Sequence, residues 1–579
     1  MKKVVFFVLI TGLLVACGSS HSTNQNAVFN QYKSAFVLRL WKQYPGWASS
    51  QGFHQYDSVL VVPTAKARLE EKAFVQAEMK ALEQFNSTEL SPENALDLGL
   101  IRNQLESTLW QIDTFKSYEW DPSGYNVCGS FAELLNQSNG TKEQRLRAIS
   151  FRLRNVPAYY EAAKASLHRP TKEHTLLAID QNRGGAVVFE VDIPVAVAQS
   201  NLTQDEKDEL IANCKRAFNA VNDYADWLAK NPFDGHRSFR IGAKLYAQKF
   251  KFDIQSQYTA QELYQRALRH KKELHHQMVA LSQQLWLKYM GTAQKPSDSL
   301  QLVRELLDKL SLNHTTPENF QQEISDQIPT LTAFVQQHNL IYIDPKKPLE
   351  VRKEPAYMAG VAGASISAPG PYDKNGKTYY NVGSMSGWTA EQSESYLREY
   401  NDYILQILNI HEAIPGHYTQ LVYSNKAPSI IKAILGNGSM IEGWAVYTER
   451  MMLENGYGNQ SPEMWLMYYK WNLRTTCNTI LDYSVHQLDM SKERAIDLLT
   501  REAFQQTAEA EGKWKRATLT QVQLCSYFNG FSEIMDFRSE MKRLKGKSFH
   551  LKQFHESFLS YGSAPVKEIR KIMMAKEQR

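Results

Sequence analysis

No block of like charge runs through this chain. Its 66 basic and 61 acidic residues are interspersed and leave a formal charge of +5 over 579 residues. The electrostatic footprint of a nucleic-acid-binding surface is therefore missing. A G-x-S-x-G nucleophile elbow is absent, which argues against a serine α/β-hydrolase, and so is a phosphate-cradling loop. No internal repeat or low-complexity domain occurs. Cysteine is scarce, with five in all. Cys128, Cys214, Cys477 and Cys525 stand too far apart for a small disulfide scaffold; disulfides and buried free thiols both remain open. Long apolar runs are missing too, apart from Val4 to Ala16. That run is shorter than the roughly 20 residues needed to cross a bilayer as a helix.

What surrounds that run is informative. Lys2 and Lys3 precede it, and Leu14-Val15-Ala16-Cys17 ends it. A charged start, a short apolar core and small residues before a cysteine describe an export signal with a lipobox. The expectation is that residues 1–16 are a signal peptide and that Cys17 carries lipid, making the membrane a partner through the anchor. Gly18, rather than an aspartate, follows the cysteine, and by resemblance to lipoprotein sorting the expected location is the outer membrane, facing the periplasm. Residues 17–28 are too polar to bury a core and read as a tether. Residues 29–579 then form one domain. No oligomeric state is implied.

That domain reads as mainly α. Between Thr203 and Lys230, the residues Leu210, Cys214, Ala217, Val221 and Tyr224 recur at three- and four-residue spacing. Ala260–Tyr289, Asp298–Leu312, Pro462–His486 and Lys492–Ala510 share the pattern. One interruption lies between Leu349 and Trp388. A small-residue segment, Ala359 to Ser367, is followed by Pro369-Gly370-Pro371, Asn375-Gly376 and Thr378-Tyr379-Tyr380-Asn381-Val382. Asn-Gly suits a tight turn and the aromatic run favours strand. A small β-hairpin or sheet is expected, with an edge that could pair with an extended peptide.

The chemistry gathers next. A helix capped by Thr389, with Gln392 as reciprocal partner, should run through Leu397, Ile404 and Leu408 into His411-Glu412-Ala413-Ile414-Pro415-Gly416-His417. Two imidazoles can hold a zinc ion, and the adjacent carboxylate can take a proton from water. Residues six apart sit about 240° apart on a straight helix, so His411 and His417 could not share a metal there. Pro415 supplies the remedy by breaking the helix, with Gly416 relaxing the backbone beside it. The third ligand is expected at Glu442, on a helix announced by Asn437-Gly438-Ser439. Glu449, two turns further along the same face, could orient a ligand imidazole. His270, His275 and His276 sit in a basic run and read as a solvated helical face.

These motifs, with Met440-Ile441-Glu442-Gly443-Trp444 and weaker ones at Tyr44-Pro45 and Arg152-Leu153, resemble the bacterial family catalogued as domain of unknown function 885. That family is similar in layout to helical, cleft-shaped zinc peptidases of the gluzincin kind. The resemblance implies a two-lobed helical body with a central cleft, ligands at His411, His417 and Glu442, and Glu412 as general base. Arg474 and Asp482-Tyr483-Ser484-Val485-His486 resemble a further family segment, as does Gln521 to Gly530. His486 and Tyr527 are implied donors to a developing oxyanion. Asp482 is implied to support the site, and Arg474 either holds Asp482 or binds a substrate carboxylate. The expected function is zinc-dependent hydrolysis of short peptides, with another divalent metal an alternative occupant. Two rivals are a lipid-anchored binding protein without catalysis and a zinc amidase acting on cell-wall peptides.

Overall fold

Hydroxyl caps start the helices where the periodicity places them. Thr203 with Glu206 and Thr259 with Glu262 each close a reciprocal capping box, opening Gln204–Ala229 and Ala260–Met290. Such a cap contributes about 1 kcal/mol. The computed structural model describes residues 20–137, 139–230, 233–355, 364–373 and 376–577. The signal segment, Cys17, Ala359 to Gly363 and Asn375 lie outside the described residues. Apolar helix faces assemble two cores. The smaller gathers residues between Tyr125 and Leu228, and the larger holds the chain on either side of that segment. The body is thus mainly helical and two-lobed, with a cleft where the lobes meet. Among the described residues no helix is long and apolar enough to cross a membrane.

Among the described residues one three-stranded sheet stands at the cleft. β1 (Leu349–Lys353) runs parallel to β3 (Thr378–Val382), and β2 (Ala364–Ser367) pairs with β3 antiparallel, giving the order β1-β3-β2. The connection from β2 to β3 is longer than the expected Asn-Gly turn. It starts at Ala368, because Pro369 and Pro371 cannot donate to a ladder.

Six helices carry the site: α1 (Asp402–Glu412), α2 (His417–Ser424), α3 (Gly438–Glu454), α4 (Pro462–Gln487), α5 (Thr507–Leu519) and α6 (Cys525–Lys545). Several depart from the sequence expectation. The helix begun at Thr389 stops at Glu399, and Asn401 restarts the chain as α1 by accepting the N–H groups of Tyr403 and Ile404. The helix expected over Lys492–Ala510 is interrupted by a wide turn at Leu498–Glu502. It reverses at buried Phe504 (φ 57°) before α5 begins. At the N-terminus, helix Ser20–Gln43 reaches back into the stretch read as a tether. Asn26 is docked there, its side-chain oxygen accepting from Ser91 N–H and Asn94 Nδ2. His270 and His275 turn inward rather than into solvent, bonding Asn472 Oδ1 and the Glu502 carbonyl. The four cysteines downstream of Cys17 are buried and unpaired.

α3 and α6 approach at two glycines. A Cβ on Gly443 would enter the backbone of Gly530, and a Cβ on Gly530 would enter that of Ser439 and Gly443. Gly443→Ala is therefore expected to cost about 1–3 kcal/mol through overpacking. It should lower the midpoint of thermal unfolding followed by circular dichroism; an unchanged midpoint would show that the pair can separate freely.

Candidate functional site

The two histidines converge because the helix between them is broken outright, not kinked. α1 ends at Glu412, Ala413 leaves helical geometry (φ −110°, ψ −90°), and Ile414–Pro415 is a cis peptide. Gly416 (φ −75°, ψ −129°) then hands the chain to α2, whose first residue is His417. A side chain at Gly416 would collide with the carbonyls of Ile410 and His411, so only glycine lets α2 start this close to the end of α1. Trp444 Nε1 of α3 donates to the Pro415 carbonyl at 2.9 Å and ties the Glu442 helix to the break.

The rings of His411 and His417 stand 4.8 Å apart and nearly perpendicular, at 89°. Glu442 Oε2 lies 3.8 Å from His411 Nε2 and 3.4 Å from His417 Nε2. Donors bound at about 2.0–2.1 Å around a tetrahedral ion stand roughly 3.3 Å apart, so these separations fit one cation between them. Glu412 also belongs to the cluster, with the donor atoms of His411, Glu412 and His417 all within 4.8 Å of one another. Of the two carboxylates, Glu442 is the better ligand, because one of its oxygens already faces both Nε2 atoms. Glu412 is left facing the cleft, where it lines the cavity.

The charges match a cation site. Burial disfavours a charged His411, yet hydrogen bonding to Glu442 and Glu449 pushes its pKa up to about 10. Burial would raise the Glu442 pKa, but the two imidazoles hold it far below the usual carboxylate range. Burial raises Glu412, with His417 and His411 opposing. Glu449, fully buried, accepts from His411 Nδ1 at 2.7 Å and from Trp471 Nε1 at 3.1 Å. Glu449 faces Nδ1, so an ion bound in the cluster would take the Nε2 lone pair once the imidazole gives up its second proton. Glu449→Ala should weaken metal binding about 10- to 100-fold, measured by competition with a chromophoric chelator; unchanged affinity would remove Glu449 from the site.

The remaining sequence candidates divide. Tyr527 lines a cavity of about 640 Å³ together with His411, Glu412, Trp471 and Arg474. Leu177 of the smaller lobe and Ala364 of β2 close the same space. Burial raises the Tyr527 pKa, with nearby Glu442 adding to the effect, so it stays a phenol. His486 is elsewhere. It is 1% exposed, and its Nε2 faces the carbonyls of Ala517 and Thr520, each at 3.0 Å, which ties α4 to the end of α5. The oxyanion role expected for it is not available from there. Asp482 does not touch the ligands either. It accepts from Tyr246 Oη (2.6 Å) and Val522 N–H (2.9 Å), and so holds the turn that leads into α6 and Tyr527. Arg474 does not pair with Asp482 but donates to Glu509 Oε1 at 2.5 Å and lies over the Trp471 ring.

Sequence reasoning passed over several residues that the cavity brings together. Trp471, Glu509, Lys513 and Arg516 belong to no motif that the sequence announces; all four line the cavity. A neighbouring space of about 660 Å³ opens past Tyr400 and Glu509, which border both. Two other hollows, about 310 Å³ beside Arg68 and about 610 Å³ beside Lys567, contain neither the histidines nor Glu412.

The chain is similar to solved structures over nearly its whole length. A protein from Shewanella oneidensis, provisionally named a lipoprotein of unknown function, is 53% identical. It aligns over 94% of this chain and 99% of its own, with a TM-score of 0.85. A second, from Colwellia psychrerythraea and also provisionally named a lipoprotein, shares the fold at 16% identity and a TM-score of 0.78, over 96% and 99% of the two chains. No curated protein matches. Residues 45–573 match the model of a bacterial protein family of unknown function, and the chain belongs to that family, DUF885.

Proposed function

We propose that this protein is a metal-dependent peptidase, tethered to the cell envelope by lipid on Cys17. The observation that carries the reading is the convergence of His411, His417 and Glu442 on one point beside Glu412, at the wall of a cleft. Two imidazoles and one carboxylate suit zinc and leave a position for water, as catalytic sites do. Bound there, the ion would polarise a carbonyl and acidify water. The chain supplies the rest. Glu412, half-buried and with a raised pKa, accepts the proton. The Tyr527 hydroxyl donates to the oxygen that gains charge. β2 is an edge strand whose Ala364 reaches the cavity, so an extended peptide could lie along it. The name given to the Shewanella oneidensis relative supports the lipid anchor, and Gly18 after Cys17 favours the outer membrane.

The test is metal analysis of purified protein followed by digestion of a mixed peptide library, before and after chelation. About one zinc per chain, cleavage lost on chelation and cleavage restored by zinc are expected. Metal without cleavage of any peptide would leave a binding protein. Cleavage confined to cross-linked wall fragments would make it an amidase of the cell wall.

A further inference from the structure

Beyond the metal cluster, one wall of the cavity is built from cations. Arg474 on α4 and Lys513, Lys515 and Arg516 on α5 all line it, Lys515 being the exposed one, and Glu509 is the acid among them. Glu509 is already taken, since Arg474 donates to it at 2.5 Å. Lys513 is 7% exposed, its nearest acid is that same Glu509 at 3.9 Å, and among the described residues its Nζ makes no hydrogen bond. Arg516 donates only to neutral oxygens, Gln523 Oε1 at 2.7 Å and Tyr527 Oη at 3.1 Å. The acids of the metal cluster offset this wall only in part, because Glu442 and Glu449 face the imidazoles and Glu412, in the same cavity, lies beside them. Cations on this wall therefore outnumber the carboxylates that line the cavity, Glu509 and Glu412, and Lys513 among them is buried. Such an arrangement is costly unless an anion joins it. Burial and the neighbouring Arg474 bring the Lys513 pKa down to about 7, as expected of a cation short of partners.

We infer that Arg474, Lys513 and Arg516 form a subsite for a carboxylate of the peptide substrate, next to the scissile position that Tyr527 faces. The inference rests on the peptidase reading and adds the substrate class. The carboxylate comes either from the peptide's own C-terminus, which makes the enzyme an exopeptidase, or from an acidic side chain. Arg516 links the subsite to the chemistry, since it touches both the anion wall and the Tyr527 hydroxyl.

Calorimetry on zinc-loaded Glu412→Gln protein tests this without turnover. The probes are trialanine, trialanine amide, and an amidated tripeptide with glutamate at its third position. Trialanine should bind at least about tenfold tighter than its amide, and Lys513→Met should shrink that ratio to within about twofold. If the glutamate peptide matches trialanine, the subsite accepts side-chain carboxylates; if it binds like the amide, the subsite reads the C-terminus. Equal binding of acid and amide, or no binding of trialanine, overturns the inference. So does a ratio that survives Lys513→Met, because the carboxylate would then sit on the metal. Should Lys513→Met fail to fold, Arg516→Met and the decline of the ratio with added sodium chloride carry the same test. Failure of the peptidase reading shows separately, as intact peptides in the library digest.

Discussion

Replacing Glu412 by glutamine should leave the zinc content near one per chain and lower the hydrolytic rate by about 10²–10⁴-fold. The substitution keeps volume and polarity, so the cleft keeps its shape. What it removes is a proton acceptor. Three features favour Glu412 as the acceptor in the proposed reaction rather than as another ligand. It ends α1 next to His411, it lines the open cavity, and Glu442 rather than Glu412 has an oxygen directed at both Nε2 atoms. Removing one negative charge near the ion weakens metal binding somewhat, which is why metal content and rate must be measured on the same preparation. Inductively coupled plasma analysis gives the first and single-turnover digestion gives the second. Loss of metal in parallel with rate would recast Glu412 as a ligand. A loss below about tenfold would mean that the proton goes elsewhere.

The part of this site that could be read in the sequence is the part decided by local covalent chemistry. Pro415 lacks an N–H and Gly416 lacks a Cβ, so a break between His411 and His417 follows whatever the rest of the chain does. Asn437 is an N-cap wherever it precedes a helix, and it places Glu442 on the next one. Glu449 follows from helical spacing alone. What was not legible depends on partners distant in the chain. Asn401 and Phe504 end helices that periodicity would have continued; the reversal at Phe504 starts α5 afresh, and its Glu509 then meets Arg474. His486 lies in a segment that resembles a catalytic one, yet whether an imidazole faces a cleft or two carbonyls is set by where the end of α5 packs. The mainly helical body was legible because amphipathic periodicity is a property of each helix, whereas its two lobes were implied only by the family resemblance. The meeting of Leu177 with the α5 wall is a property of the lobes together.

Tyr527 and His486 can be told apart by which quantity their loss changes. Tyr527→Phe keeps the ring that fills the cavity wall and deletes only the hydroxyl. Arg516 donates to that hydroxyl oxygen at 3.1 Å, so the phenolic hydrogen is left to point toward the cavity, where charge develops on the substrate oxygen. A donor used mainly in the transition state contributes about 3–4 kcal/mol to kcat and little to KM. Tyr527→Phe should therefore lower kcat by about 10²–10³-fold, leave KM within about threefold, and leave the thermal midpoint unchanged. His486→Ala should do the reverse. It strips two buried carbonyls of their donor, a cost of about 1–3 kcal/mol each in principle, and lowers the midpoint before it touches the chemistry. Steady-state kinetics and thermal melts on the two variants decide it. A His486→Ala protein that melts normally but has lost its kcat would return the oxyanion role to the histidine, and would mean that α4 and α5 rearrange when substrate enters the cleft.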